Sequence, residues 1–130
     1  MAVPKTSLSA GAIIRAILLD DADVAARVNK VFPVVADTAE LPYILYRRNK
    51  LEANPQKGGQ PGADTVEMEV LCFTAKYSEG VELAEAVRGV LDHISAEGEG
   101  MRLRGCYLAD SAESYQDDAF IQHLVFNIKI

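Results

Sequence analysis

The chain is short of the residues that most often carry chemistry: its 130 residues include two cysteines and two histidines. Cys72 and Cys106 stand singly in stretches that read as strands, where a cysteine is usually a buried small hydrophobe. A pair this sparse gives no disulfide framework, and a bridge is open only if the two strands are neighbours. His93 and His123 are scattered too, with none of the short His/Cys spacings through which about four ligands hold zinc. Neither a metal nor a cofactor is expected. A cysteine nucleophile with either histidine as its base finds no support, since Cys72 falls on a core-facing position and Cys106 has only Arg104 as a cationic neighbour. Lys57-Gly58-Gly59 lacks the phosphate-loop pattern and no helix start follows it. The paired acids Asp117-Asp118 and Glu67 with Glu69 read as a turn and a solvated strand face. No enzyme is therefore expected.

Long apolar runs are missing as well. Nothing approaches the roughly 20 residues that span a bilayer, and no basic segment followed by a long apolar core opens the sequence. The expectation is a soluble protein of the bacterial cytoplasm, or of a particle assembled there, with no membrane partner. Basic residues are in deficit, 13 against 19 acidic, for a net charge of −6. The deficit is lopsided: residues 1–65 carry eight Lys/Arg and seven Asp/Glu, net +1, whereas residues 66–130 carry five and twelve, net −7. Nucleic-acid binding draws its affinity from basic groups, so this balance argues against a general nucleic-acid module. Acidity suits solubility, and equally a surface that DNA passes without sticking. Internal repeats, heptads and low-complexity tracts are absent.

What is present fits one domain, 1–130, because a chain of this length buries roughly two-thirds of its unfolded surface. Ser7 or Ser9 is placed to cap a helix whose apolar face is Ala10, Ile13, Ile14, Ile17 and Leu18. Asp20 or Asp21 is placed to cap a second short piece containing Val24 and Val28. Val31-Phe32-Pro33 then turns the chain. From Pro42 the period becomes two, with Tyr43, Leu45 and Arg47 on one side and Ile44, Tyr46 and Arg48 on the other. This strand runs toward a Gly/Pro-rich loop at about 50–64, and a loop of that length is usually functional or disordered. Thr65 to Thr74 alternates again. Val66, Met68, Val70 and Cys72 face the helices, and Glu67, Glu69, Leu71 and Phe73 face away. Ser78 is placed to cap a helix with the stripe Leu83, Val87, Val90, Leu91 and Ile94. Gly98 and Gly100 end it, Met101 to Leu108 reads as a strand, and Phe120 to Ile130 is a last one. The fold class is α/β of the α+β type: a mostly antiparallel sheet with two main helices on one face.

This order of elements, with Val31-Phe32-Pro33 and the strand entry Leu41-Pro42-Tyr43-Ile44-Leu45-Tyr46, resembles the tail-terminator or tail-completion proteins of long-tailed bacteriophages and prophages. The resemblance covers most of the chain and carries over no catalytic residue, since that family works by assembly. It implies a ring, expected as a hexamer, at the head-proximal end of the tail tube. The ring would end tube polymerisation and join tail to head, with DNA passing through its lumen. The implied partners are other copies of the chain, the tail-tube protein and a head-completion or connector protein, and the implied location is the virion tail. A head-closure or neck protein of the same virion is the alternative, and a small-molecule-binding enzyme domain a more distant one. Candidate interface residues are the exposed apolar positions Leu71, Phe73, Ile121 and Val125 and the basic group Arg47, Arg48, Lys50 and Lys57. Acidic Glu67 and Glu69 of a neighbouring subunit are the expected counterpart of that basic group.

Overall fold

The structure is a computed structural model that describes residues 5–35, 40–53, 64–98 and 101–130. The strands are β1 (Lys30–Pro33), β2 (Tyr43–Glu52), β3 (Thr65–Thr74), β4 (Ile94–Gly98), β5 (Met101–Gln116) and β6 (Ala119–Lys129), and the helices are α1 (Ala10–Asp20), α2 (Ala22–Ala25) and α3 (Tyr77–Leu91). The six strands form one curled sheet in the order β1-β2-β3-β6-β5-β4. β1 runs parallel to β2, and every other neighbouring pair is antiparallel. The alternation in β3 separates two faces. On one, Val66, Met68, Val70 and Cys72 meet Ile13, Ile14 and Leu18 of α1, Leu83, Val87 and Leu91 of α3, and Phe126 and Ile128 of β6 in a single buried cluster. The other face carries no helix of this cluster.

Local chemistry accounts for most element ends. The Thr6 side chain accepts the Leu8 N–H and caps a 3-10 turn, Ser7–Ser9, which leads into α1; neither Ser7 nor Ser9 caps a helix through its side chain. Ser7 is buried and donates to Asp64 Oδ2, while the Asp64 carbonyl accepts the Ile130 N–H at 3.0 Å, so the chain's first turn, the start of β3 and the end of β6 are tied together. Asp21 caps α2, accepting the Val24 N–H at 3.0 Å. α3 begins one residue before Ser78, with Lys76 as its cap residue. It ends at Leu91, and Ile94, which its spacing would assign to the helical stripe, lies in β4 after a turn at His93 with φ 65°. Gly11 permits the closest approach of α1 to the sheet: a Cβ there would sit 2.9 Å from the Tyr46 ring.

Two further expectations are corrected. Val31-Phe32-Pro33 is an edge strand, because Asn29 to Val34 hydrogen-bond along β2 from Pro42 to Tyr46. β5 continues well past Leu108 and closes a hairpin with β6 through Asp117-Asp118, both at positive φ as a two-residue hairpin turn demands. Cys72 and Cys106 are both buried free thiols, separated by β6. Of the segment 50–64 expected as a loop, Lys50 to Glu52 belong to β2, and residues 54–63, Lys57 and the glycine pair among them, lie outside the described residues.

Two outcomes check this packing. Phe126→Ala, at a side chain 1% exposed, should cost about 3–5 kcal/mol of stability in urea titrations. Burial pushes both thiols up to about 12 from an ordinary 9.0. Their contribution to stability is thus complete below pH 9 and is lost as pH rises toward 12. At pH 8 neither thiol should react with a maleimide in the native state, and both should react in urea.

Candidate functional site

The face of the sheet away from the helices is built in rows by strand register. Lys30, Tyr43, Phe73, Ile121 and Ser114 lie abreast across five strands, followed by Phe32, Leu45, Leu71, His123 and Ala112, and then by Arg47, Glu69, Val125 and Asp110. Its apolar part is aromatic. Tyr43 and Phe73 stack with ring centroids 4.5 Å apart, and Phe32 meets Tyr43 edge-on at 5.8 Å. Tyr43, Phe73 and Ile121 line a shallow depression of about 390 Å³ with Leu41, Gln116, Asp117 and Ala119. The Tyr43 hydroxyl is held above its ordinary pKa, chiefly by burial and then by the nearby Asp117 carboxylate.

The expectation that Leu71 and Ile121 are exposed is corrected, since they are only 8% and 6% exposed. Leu71 is flanked by Leu45 and His123 across the strands and by Phe73 and Glu69 along its own, while Ile121 lies between Phe73 and Ser114. Phe73 and Val125 are partly exposed, as are Phe32, Tyr43 and Leu45 on the same face.

Glu69 is also buried, at 8% exposure. Arg47 contacts its Oε1 through Nη2 at 2.6 Å and Nε at 2.9 Å, and His123 Nδ1 lies 3.4 Å from Oε2. His123 Nε2 in turn lies 2.9 Å from Ser114 Oγ. The expected pairing of Glu69 with a neighbouring subunit is therefore replaced by a polar row within one subunit, Arg47–Glu69–His123–Ser114, spanning β2, β3, β6 and β5. Lys50, opposite Glu67 in register, forms its ion pair with Glu52 at 3.1 Å. Arg48 points to the helix face and donates to the Leu8 carbonyl at 2.9 Å. The basic group is thus divided between two faces of the sheet.

Ser114, His123 and Glu69 repeat the order of a hydrolase triad, but the Glu69 carboxylate is paired with Arg47, and the serine stands in the exposed outer half of β5. The arrangement fastens strands together. Among the described residues no group of three or more His, Cys, Asp or Glu side chains is placed to hold a metal. Sequence reading also missed an exposed apolar group at the β1 end, Val34, Val35 and Leu8, with Val34 at φ 62°. A β-branched residue in that region is uncommon enough to mark a constrained segment.

With this geometry in hand, the family profile described as tail completion protein gp17 matches residues 12–130. The chain belongs to the tail completion protein gp17 family. The fold is similar to that of a chain from the virion of a native gene transfer agent (GTA) particle, with a TM-score of 0.73 at 20% identity over 89% of this chain and 90% of that one. No curated protein sequence matches. A tail completion protein is a structural component of the phage tail and not an enzyme, so the polar row and the aromatic face belong to a protein that works through its surfaces. No described helix of this tail completion protein is long and apolar enough to cross a membrane.

The polar row should carry measurable stability. Glu69→Gln, which removes the charge facing both Arg47 and His123, should cost about 1–3 kcal/mol in urea titrations. Lys50→Ala, at a fully exposed pair, should leave the unfolding midpoint almost unmoved.

Proposed function

We propose that this tail completion protein forms a ring, expected as a hexamer, on the head-proximal end of the tail tube, ending tube polymerisation and offering a docking surface to the head connector. The observation that carries the reading is the one-sided sheet. Two helices cover one face, while the other presents a stacked aromatic pair, Tyr43 and Phe73, with Phe32 beside it and Val125 two rows away. An aromatic surface of this kind is what protein interfaces use for their buried centres. The net charge of −6 supports the same reading, since a lumen through which DNA slides must not bind phosphates. Assembly in the bacterial cytoplasm and a single tail-terminator-like domain over 1–130 complete the proposal. The apolar face serves the tube contact, and Lys50 and Glu67 lie at its rim, where charges set orientation more than affinity.

The test is light scattering coupled to gel filtration over a protein concentration series, with negative-stain images of the largest species and sedimentation with purified tail tubes. A closed ring that co-sediments with tubes is the expected result. Phe73→Asp and Val125→Lys should abolish co-sedimentation while circular dichroism and the urea midpoint show a folded chain. A wild-type protein that never forms rings, with tubes present or absent, overturns the reading.

A further inference from the structure

Besides the outer sides of the border strands β1 and β4, the sheet has two further stretches of strand edge that no strand covers among the described residues. β4 covers the outer side of β5 only from Met101 to Cys106, and the Leu108 N–H is taken by Asp92 Oδ1 at 2.9 Å. Beyond that point β5 has no strand on its outer side among the described residues, and every position from Ala109 to Asp118 is exposed. At the opposite border, β1 covers β2 only from Tyr43 to Tyr46, leaving the outer side of Arg47 to Glu52 without a strand among the described residues. The Ser111 N–H donates to Asp110 Oδ1 at 2.9 Å; otherwise such edges present N–H and C=O groups that another strand can take up.

The two stretches differ in charge. Ala109 to Asp118 contains Asp110, Glu113, Asp117 and Asp118 and no Lys or Arg, whereas Arg47 to Glu52 contains Arg47, Arg48 and Lys50 against one acid. Their directions also suit each other. Three successive antiparallel pairings separate β2 from β5, so the two run in opposite senses within one subunit. A second copy carrying the sheet onward in the same sense would set its β2 antiparallel to this β5. The side chains then match face by face: Asp110 shares the open face with Arg47 and Lys50, and Glu113 shares the helix face with Arg48.

We infer that subunits join by adding the β5 edge, Asp110–Gln116, of one copy antiparallel to the β2 edge, Arg47–Glu52, of the next. The inference rests on the ring reading and names the contact that closes it. The contact is heterologous: each subunit offers two different edges, so every copy has one neighbour on each side, and rotation closes the chain of subunits into a ring. A β5 edge pairing with itself would place Asp110 and Glu113 against like charges, which disfavours a two-fold dimer.

Disulfide trapping tests it, because the native Cys72 and Cys106 are buried and stay silent. Asn49→Cys and Ala112→Cys place thiols on the two edges. On mild oxidation, the double variant should give a covalent ladder that ends at the ring species. A mixture of the two single variants should stop at dimers, and each single variant alone should stay monomeric on a non-reducing gel. In parallel, Lys50→Glu and Asp110→Lys should each raise the self-association constant Kd about tenfold, with the double reversal restoring it. Wild-type rings without cross-links in the double variant overturn this contact and leave the ring standing. Cross-linked dimers from Ala112→Cys alone overturn it in favour of edge self-pairing. A wild type monomeric under every condition overturns both readings.

Discussion

The rest of the structure depends on the register of β3. Its side chains alternate, so a one-residue slip would exchange its faces. Held as it is, the strand sends Val66, Met68, Val70 and Cys72 into the cluster with α1 and α3, and Glu67, Glu69, Leu71 and Phe73 to the other side. A slip would drive Glu67 and Glu69 under the helices, where an unpaired carboxylate is severely penalised. The correct register does more than avoid that cost. It sets Glu69 abreast of Arg47 on β2 and diagonally across from His123 on β6, two residues from direct opposition on the same face, so the acid buried on the open face among the described residues finds partners on both sides. Burial of the apolar face and pairing of the charge on the polar face select the same alignment, and agreement between such levels is what makes a sequence specify one fold.

Periodicity made the central elements legible. β3 runs from Thr65 to Thr74 as its alternation indicates, and the three-and-four spacing of Ile13, Ile14 and Leu18 is the buried stripe of α1. The edges were harder. Four residues, Lys30 to Pro33, show too little pattern to separate a strand from a turn, and only pairing with β2 makes them one. Beyond Leu108, β5 loses its apolar alternation because no helix covers it, so the outer half of the longest strand carries no burial signal to read. Ile94 extends the apolar spacing of α3 into β4, since a helix stripe and a following strand both place an apolar residue there.

The candidate surface was legible as residues and illegible as geometry. Glu67, Glu69, Leu71 and Phe73 share a face, as the alternation requires, but burial on that face is decided by cross-strand neighbours. Leu71 is enclosed because Leu45 and His123 flank it, and Phe73 stays partly open because its neighbour Tyr43 stacks on only one side of it. Arg47 and Arg48 are adjacent in sequence and opposite in space, one bound to Glu69 and the other to the Leu8 carbonyl. A basic cluster on a strand is therefore two half-clusters, and only the structure tells which half meets which partner.

Uncovered strand edge needs something to stop indiscriminate pairing, and the uncovered stretches of β2 and β5 each carry such a device. The register shift in β2 falls between Arg48 and Lys50, and that in β5 between Leu108 and Asp110, so each lies within a free stretch or at its beginning. A bulge raises the local twist and bends the strand, which makes the edge a poor template for a flat, extended intruder. The charges act in the same direction, since an acidic edge repels its own kind as a basic edge does. What passes both filters is a strand of opposite charge with a matching bend, which in the inferred contact the other border of a second copy would supply. In the contact inferred between copies, bulge and charge, the two means by which a monomer protects its edges, would be the terms of recognition.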